Sequence, residues 1–530
     1  MTSMSYFKRI VALIAILNII TSICGCNYNP SANKIISMDV EKAPINIDPQ
    51  LASSQSELIV VRNTMTGLFR INENGKTEKS LCDYYKASDD RLTYEFKIKD
   101  AKWSNGDEIT ADDFVFGITR ALKAETKSPY AHTLFFIKNA ENFNNSEVGE
   151  AELGVSSVDE KTLKIVLTKP ISDIEYRLSD MPSMPCNRDF FSKCKGKYGL
   201  SKKNMIYCGP FYVSSWTDNS IKMGRNSEYV SEIAKPTALT MTFNETEGKK
   251  IDAIGKNVID IAIIDSEKET AAKDAGLNTY SVNNTVWAII INPNLEIMQN
   301  PLTVSALSKS IDRLTIEKSL PAGYSMFSGL IATELNLCGN KYSHYINEYS
   351  QSSLNSDEAK NEYMQAIKEV GKNLNGSTLM YANESKSGNM AIKIAASWQK
   401  NLDAYINTEE VSFNEMKNRI KSGNYTVALY PIGYETTDAE AALQQFLSYD
   451  KSNIFGIQNE DFDSLMEKAQ SESNANKKAK LLHQAENCLI ESNYICPIYI
   501  SPTVVAATPK LSGFVFDLYR GNFDFVNAVK

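Results

Sequence analysis

Strand-like runs alternate with helical segments along most of this chain of 530 residues. Residues 92–98 alternate apolar and polar side chains, as a strand with one buried face does. From about Val304 onward apolar residues recur at helical spacing, and residues 495–500 are typical of a buried strand. This alternation predicts an α/β fold, and the length predicts two or more lobes.

Turn and capping residues mark the start of several predicted elements. Residues 103–107 (WSNGD) predict a turn, and Thr110 with Asp112 and Asp113 predicts a helix start, because a hydroxyl can cap the helix and acids favour its positive end. Strands are also predicted over 163–167, 211–213 and 425–430, and helices over 357–370, 391–402, 461–472 and 475–490.

The N-terminus predicts export. Lys8 and Arg9 precede an apolar run over residues 10–23 that is typical of a secretory signal and shorter than the roughly 20 residues of a membrane-spanning helix. The run ends in Ile-Cys-Gly-Cys, which is similar to the bacterial lipobox, and the matching acylated residue is Cys26. We therefore expect a signal peptide over 1–25, a lipid anchor at Cys26 and a tether over 26–34. A cleaved signal that merely contains cysteine is the alternative.

Charge and motifs exclude several function classes. The net charge of −8 argues against nucleic-acid binding, which needs a basic face. The histidines, His132, His344 and His483, lie outside any metal-ligand spacing, and the sequence lacks a GxSxG elbow, a P-loop and a GxGxxG turn. The sequence thus predicts no enzyme, no cofactor and no bound metal.

Cysteines beyond Cys26 leave two interpretations open. Their number is odd and no CxxC pair occurs. A disulfide among Cys186, Cys194 and Cys208 after export is one interpretation, and buried free thiols are the other.

Several blocks of sequence resemble the family 5 solute-binding proteins of ABC importers, which include oligopeptide and dipeptide receptors. The first block combines Gly-Leu-Phe at 67–69, LTYEF at 92–96, KWSNGD at 102–107 and DDFV at 112–115. Matching segments follow in the family's order over nearly the whole mature chain: SPYA at 128–131, GPFY at 209–212 with Trp216, IDR at 311–313, and the amphipathic stretch 461–497.

This resemblance implies a two-lobed periplasmic-binding-protein-like fold of type II, in its large three-domain form. Crossing strands would form the hinge, and the ligand would lie in the cleft between the lobes. The first lobe would comprise residues 35–281 plus 504–530, with an extra subdomain at about 70–205, and the second lobe residues 282–503.

The resemblance also implies the function and the partners. The chain would be a monomeric extracytoplasmic lipoprotein, held on the cell membrane through its lipid anchor, that captures peptides and delivers them to a permease pair with its ATPases. Alternatives within this fold are a receptor for another solute, such as a sugar or a chelated metal like nickel, and a surface adhesin or sensory receptor.

Candidate ligand contacts in the second lobe follow from the same resemblance. Glu435 matches the acid that pairs with the peptide ammonium, with a solvated loop carboxylate as the alternative. Pro431, Ile432 and Gly433 match the stretch that offers backbone groups and cleft walls. The sequence departs from the family's pattern here, because Ile432 replaces a tryptophan and Thr436 a tyrosine.

Other candidates surround the expected cleft. Ser53, Ser54 and Gln55 match a first-lobe segment beside the bound backbone, and Tyr130 and Phe413 match aromatic residues near the ligand. For both aromatic residues core packing is the alternative, and we expect Trp287 to lie in the core.

Recognition of the peptide carboxylate is the weakest part of the resemblance. The positions that carry cations or histidine in some relatives fall at about Ser387, Ile420 and Leu429 here. Nearby Lys386 and Arg419 are the candidates to replace them. This pattern favours a longer or capped peptide, or a ligand whose carboxylate stays solvated.

Overall fold

The computed structural model describes residues 35–530 except for 73–75, 172, 232, 244–246, 347–348, 350–353, 384–385, 435–437, 451–452, 473 and 518–521. The predicted signal peptide, the tether and Cys26 lie outside the described residues, and so does Glu435.

The described strands are, in chain order, β1 (Ile35–Asp39), β2 (Phe69–Ile71), β3 (Thr77–Lys79), β4 (Cys82–Ala87), β5 (Thr93–Ile98), β6 (Val155–Asp159), β7 (Thr162–Val166), β8 (Phe211–Trp216), β9 (Ser220–Arg225), β10 (Ala238–Thr242), β11 (Ile261–Ile264), β12 (Asn278–Ile291), β13 (Ser325–Met326), β14 (Asn336–Leu337), β15 (Asn340–Lys341), β16 (Thr378–Ala382), β17 (Asn407–Val411), β18 (Val427–Gly433), β19 (Ile495–Ala507), β20 (Val515–Asp517) and β21 (Asn522–Asp524).

The described α-helices are α1 (Gln55–Thr64), α2 (Ala111–Leu122), α3 (Ala140–Asn144), α4 (Ile174–Arg177), α5 (Arg188–Lys193), α6 (Glu247–Gly255), α7 (Glu269–Asp274), α8 (Pro301–Lys309), α9 (Arg313–Glu317), α10 (Ser356–Val370), α11 (Gly388–Leu402), α12 (Phe413–Lys421), α13 (Ala439–Gln444), α14 (Glu460–Ser471) and α15 (Ala475–Glu491). The helices and strands predicted from the sequence are thereby confirmed, with end shifts of a few residues and a much longer β19.

Eleven of the described strands form one mixed sheet in the order β17-β16-β18-β12-β19-β11-β1-β10-β9-β8, with β13 also paired to β19. Strands β12 and β19 pair along almost their whole lengths, and the register shifts between Asn283 and Thr285. One end of this ladder adjoins β11, and the other end adjoins β18. The long antiparallel pair therefore joins two halves of the sheet.

Separate hydrophobic cores surround the two halves. We call the half built around the cluster that includes Phe96, Trp103 and Phe211 the first lobe. The second lobe is built around β12 and β18, and alternate residues of β12 enter two different clusters on its two faces. Trp287 is buried and stacks on Tyr499 with 5.6 Å between ring centroids, which confirms its predicted core position. Because both faces of β12 are covered by hydrophobic clusters, the end of this strand carries an unbroken run of apolar residues.

A four-stranded sheet, in the order β4-β5-β7-β6, packs with α2 inside the first lobe. The predicted helix start is confirmed, because α2 follows Thr110 directly and the carboxylate of Asp113 accepts hydrogen bonds from the Thr110 N–H at 3.0 Å and from Trp103 Nε1 at 3.1 Å. This sheet lies within the stretch predicted as the extra subdomain.

The predicted lobe limits stay a prediction, although their two crossing points lie opposite each other in the ladder. Ser281 pairs with Val504, and Val282 pairs with Thr503. The described residues include seven cysteines, and none of the seven forms a disulfide. Cys186, Cys194 and Cys208 carry free thiols, which agrees with the second of the two interpretations.

Candidate functional site

The ends of the parallel strands converge on the junction of the two lobes. Strands β1, β10 and β11 run parallel to one another, and β16, β17 and β18 form a second parallel group. Both β11 and β18 pair beside the β12–β19 ladder, and their directions are opposite, so the carboxyl ends of both groups point toward the junction near Thr285 and Thr503. In open α/β sheets ligands bind outside the carboxyl ends of strands, which makes this junction the candidate site.

The predicted first-lobe wall of the site is the segment from Ser53 to Gln55, which precedes and opens α1, and its ligand role stays a prediction. All three side chains of this segment are exposed, so their polar groups are available to a ligand. The segment is held from behind by Glu57, a buried residue of α1.

The carboxylate of Glu57 gathers four backbone N–H groups. Its Oε1 accepts from Ile45 and Asn46 at 3.1 and 3.0 Å, and its Oε2 accepts from Ser53 and Ser54 at 3.0 Å each. Burial alone would raise the pKa of Glu57, but these donors hold the pKa below its ordinary value. Glu57 was not predicted to support this segment, although the spacing Ser54-x-x-Glu57 is that of a capping box.

The second-lobe wall is the carboxyl end of β18. Gly433 is exposed and Pro431 is half-buried, whereas Ile432 is 1% exposed and packs in the core. Alternation along a strand explains this difference, since neighbouring side chains point to opposite faces. Any contact of Ile432 with a ligand in this arrangement would come from its backbone.

The two aromatic candidates are both half-buried. Phe413 is the first residue of α12, and its ring centroid lies 5.7 Å from that of Tyr430. Tyr130 packs against the first-lobe core, and its carbonyl accepts hydrogen bonds from the N–H and Oγ1 of Thr133. Both residues combine packing with partial exposure, and their ligand roles stay predictions.

Charged side chains contact one another across the junction. Lys386, which precedes α11, lies 2.8 Å from Asp265 Oδ2 and 3.0 Å from Glu267 Oε2, just after β11. On another part of the junction Lys169 Nζ donates to Gln470 Oε1 at 2.9 Å. These contacts hold the described lobes close together.

The cations expected to replace missing carboxylate partners are already engaged. Lys386 pairs with two acids as described above, and Arg419 makes a bidentate pair with Glu409 at 2.8 and 3.1 Å. The positions Ser387, Ile420 and Leu429 are buried.

Asp438 lies at the start of α13, where its carboxylate accepts the Ala441 N–H at 2.9 Å. Burial raises the pKa of Asp438 to about 6; the Ala441 hydrogen bond opposes this increase, while Asp173 of the first lobe adds to it. Arg177 of the first lobe acts in the opposite sense and also donates to Asp173 at 2.9 Å. Asp438 of the second lobe therefore interacts electrostatically with Asp173 and Arg177 of the first lobe.

The described residues of the junction offer backbone and polar groups that are suited to binding a ligand. Among them, no group of three or more His, Cys, Asp or Glu side chains is placed to hold a metal ion. Within the described ranges, none of the helices has the length and apolar character needed to cross a bilayer.

Comparison with known proteins agrees with this geometry. Residues 46–453 match the family described as bacterial extracellular solute-binding proteins, family 5 Middle. The oligopeptide-binding protein OppA of Bacillus subtilis is 26% identical over 96% of this chain and 96% of its own, and a dipeptide-binding protein of Lactococcus lactis is 23% identical over 97% and 98%. The structure of Listeria monocytogenes OppA bound to peptide covers 94% of this chain and 99% of its own at 22% identity and a TM-score of 0.77. The predicted two-lobed α/β fold is confirmed.

Proposed function

The chain belongs to the bacterial extracellular solute-binding proteins, family 5, and from this membership we propose that it captures peptides outside the cytoplasm and delivers them to an ABC importer. Its whole-length similarity to relatives named as oligopeptide- and dipeptide-binding proteins carries the proposal. The family consists of binding proteins rather than enzymes.

The proposed ligand site is the junction between the lobes. A receptor for peptides of varied sequence must pair with backbone groups and leave the side chains loosely held. The exposed segment Ser53–Gln55 on one side and the exposed end of β18 at Gly433 on the other suit this task. Tyr130 and Phe413 would complete the walls of the site.

Glu435 is the proposed partner of the peptide ammonium. The proposal rests on the family resemblance, and it is supported by the position of its neighbours Tyr434 and Asp438 beside the junction. The other end of the ligand has fewer partners, because Lys386 and Arg419 are paired with acids. This favours a longer or capped peptide, or a carboxylate that stays in solvent.

The proposed lobe limits are residues 35–281 with 504–530 and residues 282–503. The proposed attachment is a lipid on Cys26 after removal of residues 1–25, which would keep a monomeric receptor on the outer side of the membrane beside its permease pair and ATPases. Replacing Cys26 with Ser is then expected to release the protein from membranes, and continued acylation of that variant would contradict the assignment.

Native mass spectrometry of the purified mature protein tests the cargo. We expect bound masses that resolve, after mild denaturation, into peptides of mixed sequence. A single non-peptide mass recovered in stoichiometric amount would reject the peptide proposal and favour another solute.

A further inference from the structure

Glu486 is a buried carboxylate of the second lobe that the proposed function does not use. It lies on α15 and is fully buried. Its Oε1 accepts the backbone N–H groups of Leu330 and Ile331 at 2.5 and 2.8 Å, and its Oε2 lies 3.2 Å from His483 Nδ1. The carboxylate therefore fixes a buried turn that is more than 150 residues away in sequence.

The same turn holds Tyr434, the residue that follows β18. The Tyr434 hydroxyl donates to the carbonyl of Leu330 and accepts the N–H of Ala332 at 3.1 Å. Tyr434 is 3% exposed, although its neighbour Gly433 is exposed at the junction. One turn thus connects the carboxylate of α15 to the end of the second-lobe wall.

The segment that begins with this turn also reaches Asp438. Asn336 forms a parallel bridge with Asp438, so residues 330–336 contact the chain on both sides of positions 435–437. The close fit extends to Gly329, because a Cβ there would lie 2.7 Å from Glu486 Oε1 and 2.4 Å from the Tyr349 ring. A side chain at position 329 would push the turn away from the carboxylate.

We propose that Glu486 is a positioning residue for ligand capture, acting through the turn Leu330–Ala332 and Tyr434 to fix the end of β18 at the junction. The proposal rests on the proposed function, in which this strand end contacts the ligand. A wall that is ordered before binding loses less conformational entropy when the ligand arrives, and that difference increases affinity. One side-chain oxygen can accept two N–H donors, as Glu486 Oε1 does here, which suits this residue for the task.

A purely structural role for Glu486 makes a different prediction. In that case a substitution of Glu486 would lower the stability of the protein, and the order of the β18 end and the affinity for the ligand would not change. A matched control is Tyr363→Phe, because the Tyr363 hydroxyl is also buried in the second lobe and accepts one backbone N–H, that of Leu374 at 2.8 Å. Leu374 precedes β16, on the side of the sheet away from the junction.

The test compares Tyr434→Phe, Glu486→Leu, Glu486→Gln and Tyr363→Phe in the full-length mature protein. Hydrogen exchange at the amides of Ile432, Gly433 and Tyr434 is followed without ligand, and binding of tetra-alanine is followed by calorimetry. With Tyr434→Phe and Glu486→Leu we expect exchange there to rise about tenfold and the Kd to rise about tenfold, the usual scale for one lost hydrogen bond. Glu486→Gln keeps an acceptor oxygen and should stay within about threefold of wild type.

Tyr363→Phe should lower Tm as Tyr434→Phe does. It should leave unchanged both the hydrogen exchange at the end of β18 and the Kd for tetra-alanine. Unchanged exchange in Tyr434→Phe would overturn the positioning role, and so would an equal rise in Kd with Tyr363→Phe. If Glu486→Leu does not fold, Tyr434→Phe and the exchange data still decide the question. A wild-type protein that binds no peptide would count against the proposed function, while the exchange measurement would still judge the positioning role.

Discussion

The two proposed walls of the junction are each held by a buried glutamate, but the two glutamates act over very different distances in the sequence. Glu57 binds four N–H groups that lie within twelve residues of it in sequence. Glu486 binds the turn Leu330–Ala332, which lies more than 150 residues before it in the sequence. That turn holds Tyr434, which lies about 100 residues after the turn. The first-lobe wall is thus a local structure, whereas the second-lobe wall depends on the packing of the whole lobe.

Charge distinguishes the two walls as well. The donors around Glu57 lower the pKa of its carboxyl, whereas burial and Asp173 raise the pKa of Asp438 to about 6. The ionised form is therefore favoured in the folded state on one wall and disfavoured on the other. Four substitutions test this contrast between the walls.

The largest effect is expected from Glu435→Gln in the second wall. If Glu435 pairs with the peptide ammonium, its loss should weaken binding by about 2–5 kcal/mol, because a desolvated charge loses its partner. Calorimetry with the peptides recovered from the protein measures this change. Glu491→Gln, an exposed change of the same kind in the same lobe, is the control. An unchanged Kd for Glu435→Gln would remove Glu435 from the site.

In the first wall, Glu57→Gln should destabilise the protein by about 1–3 kcal/mol at pH 7, because an amide cannot accept four N–H groups. The folded pKa of Glu57 lies below the ordinary value of 4.5, so this contribution is complete above about pH 4.5 and is lost as pH falls below it. Urea unfolding of variant and wild type at pH 7 and pH 3.5 should show the difference shrinking on acidification. A difference that is the same at both pH values would contradict the role of the charge.

Asp438→Asn should raise the stability of the protein at pH 7, whereas Glu57→Gln should lower it. Ionised Asp438 costs stability in the folded state, and this cost is absent below about pH 3.8, grows up to about pH 6 and is complete above that value. Asparagine also caps helices well, so α13 should keep its start. We expect the variant to be more stable than wild type at pH 7 and equal to it near pH 4. Lower stability of the variant at pH 7 would show that the charge is stabilised in place.

The smallest effect is expected where the walls meet, at Lys386. Its carboxylate partners are 41% and 46% exposed, and pairs of this kind contribute at most about 1 kcal/mol. Lys386→Met should shift the unliganded protein toward a more open shape in X-ray scattering at low salt, with a smaller difference at high salt because ions screen the pairs. Lys400→Met, an exposed change in α11, the helix that follows Lys386, should have no effect. A shift of equal size with both variants would rule out these pairs as a link between the lobes.

Local patterns in the sequence predicted most of the elements but not their full extent. The helix after Thr110 and the strand at 92–98 were predicted because capping and alternation act over a few residues. Strand β19 was predicted too short, since Ser501, Pro502 and Thr503 interrupt the apolar pattern, whereas its pairing with β12 continues across them. Position in the ladder, rather than hydrophobicity, sets the length of these strands.

By itself, the sequence determined the α/β class, the family resemblance and the start of α2 after Thr110, because each rests on short runs of residues close together in the chain. The tertiary structure alone decided which charges are engaged. Lys386 and Arg419 were expected near a ligand carboxylate, and both pair with acids, Lys386 with acids of the other lobe. It also decided that Glu486 holds Tyr434, since strand pairing and core packing bring together residues that no local pattern connects.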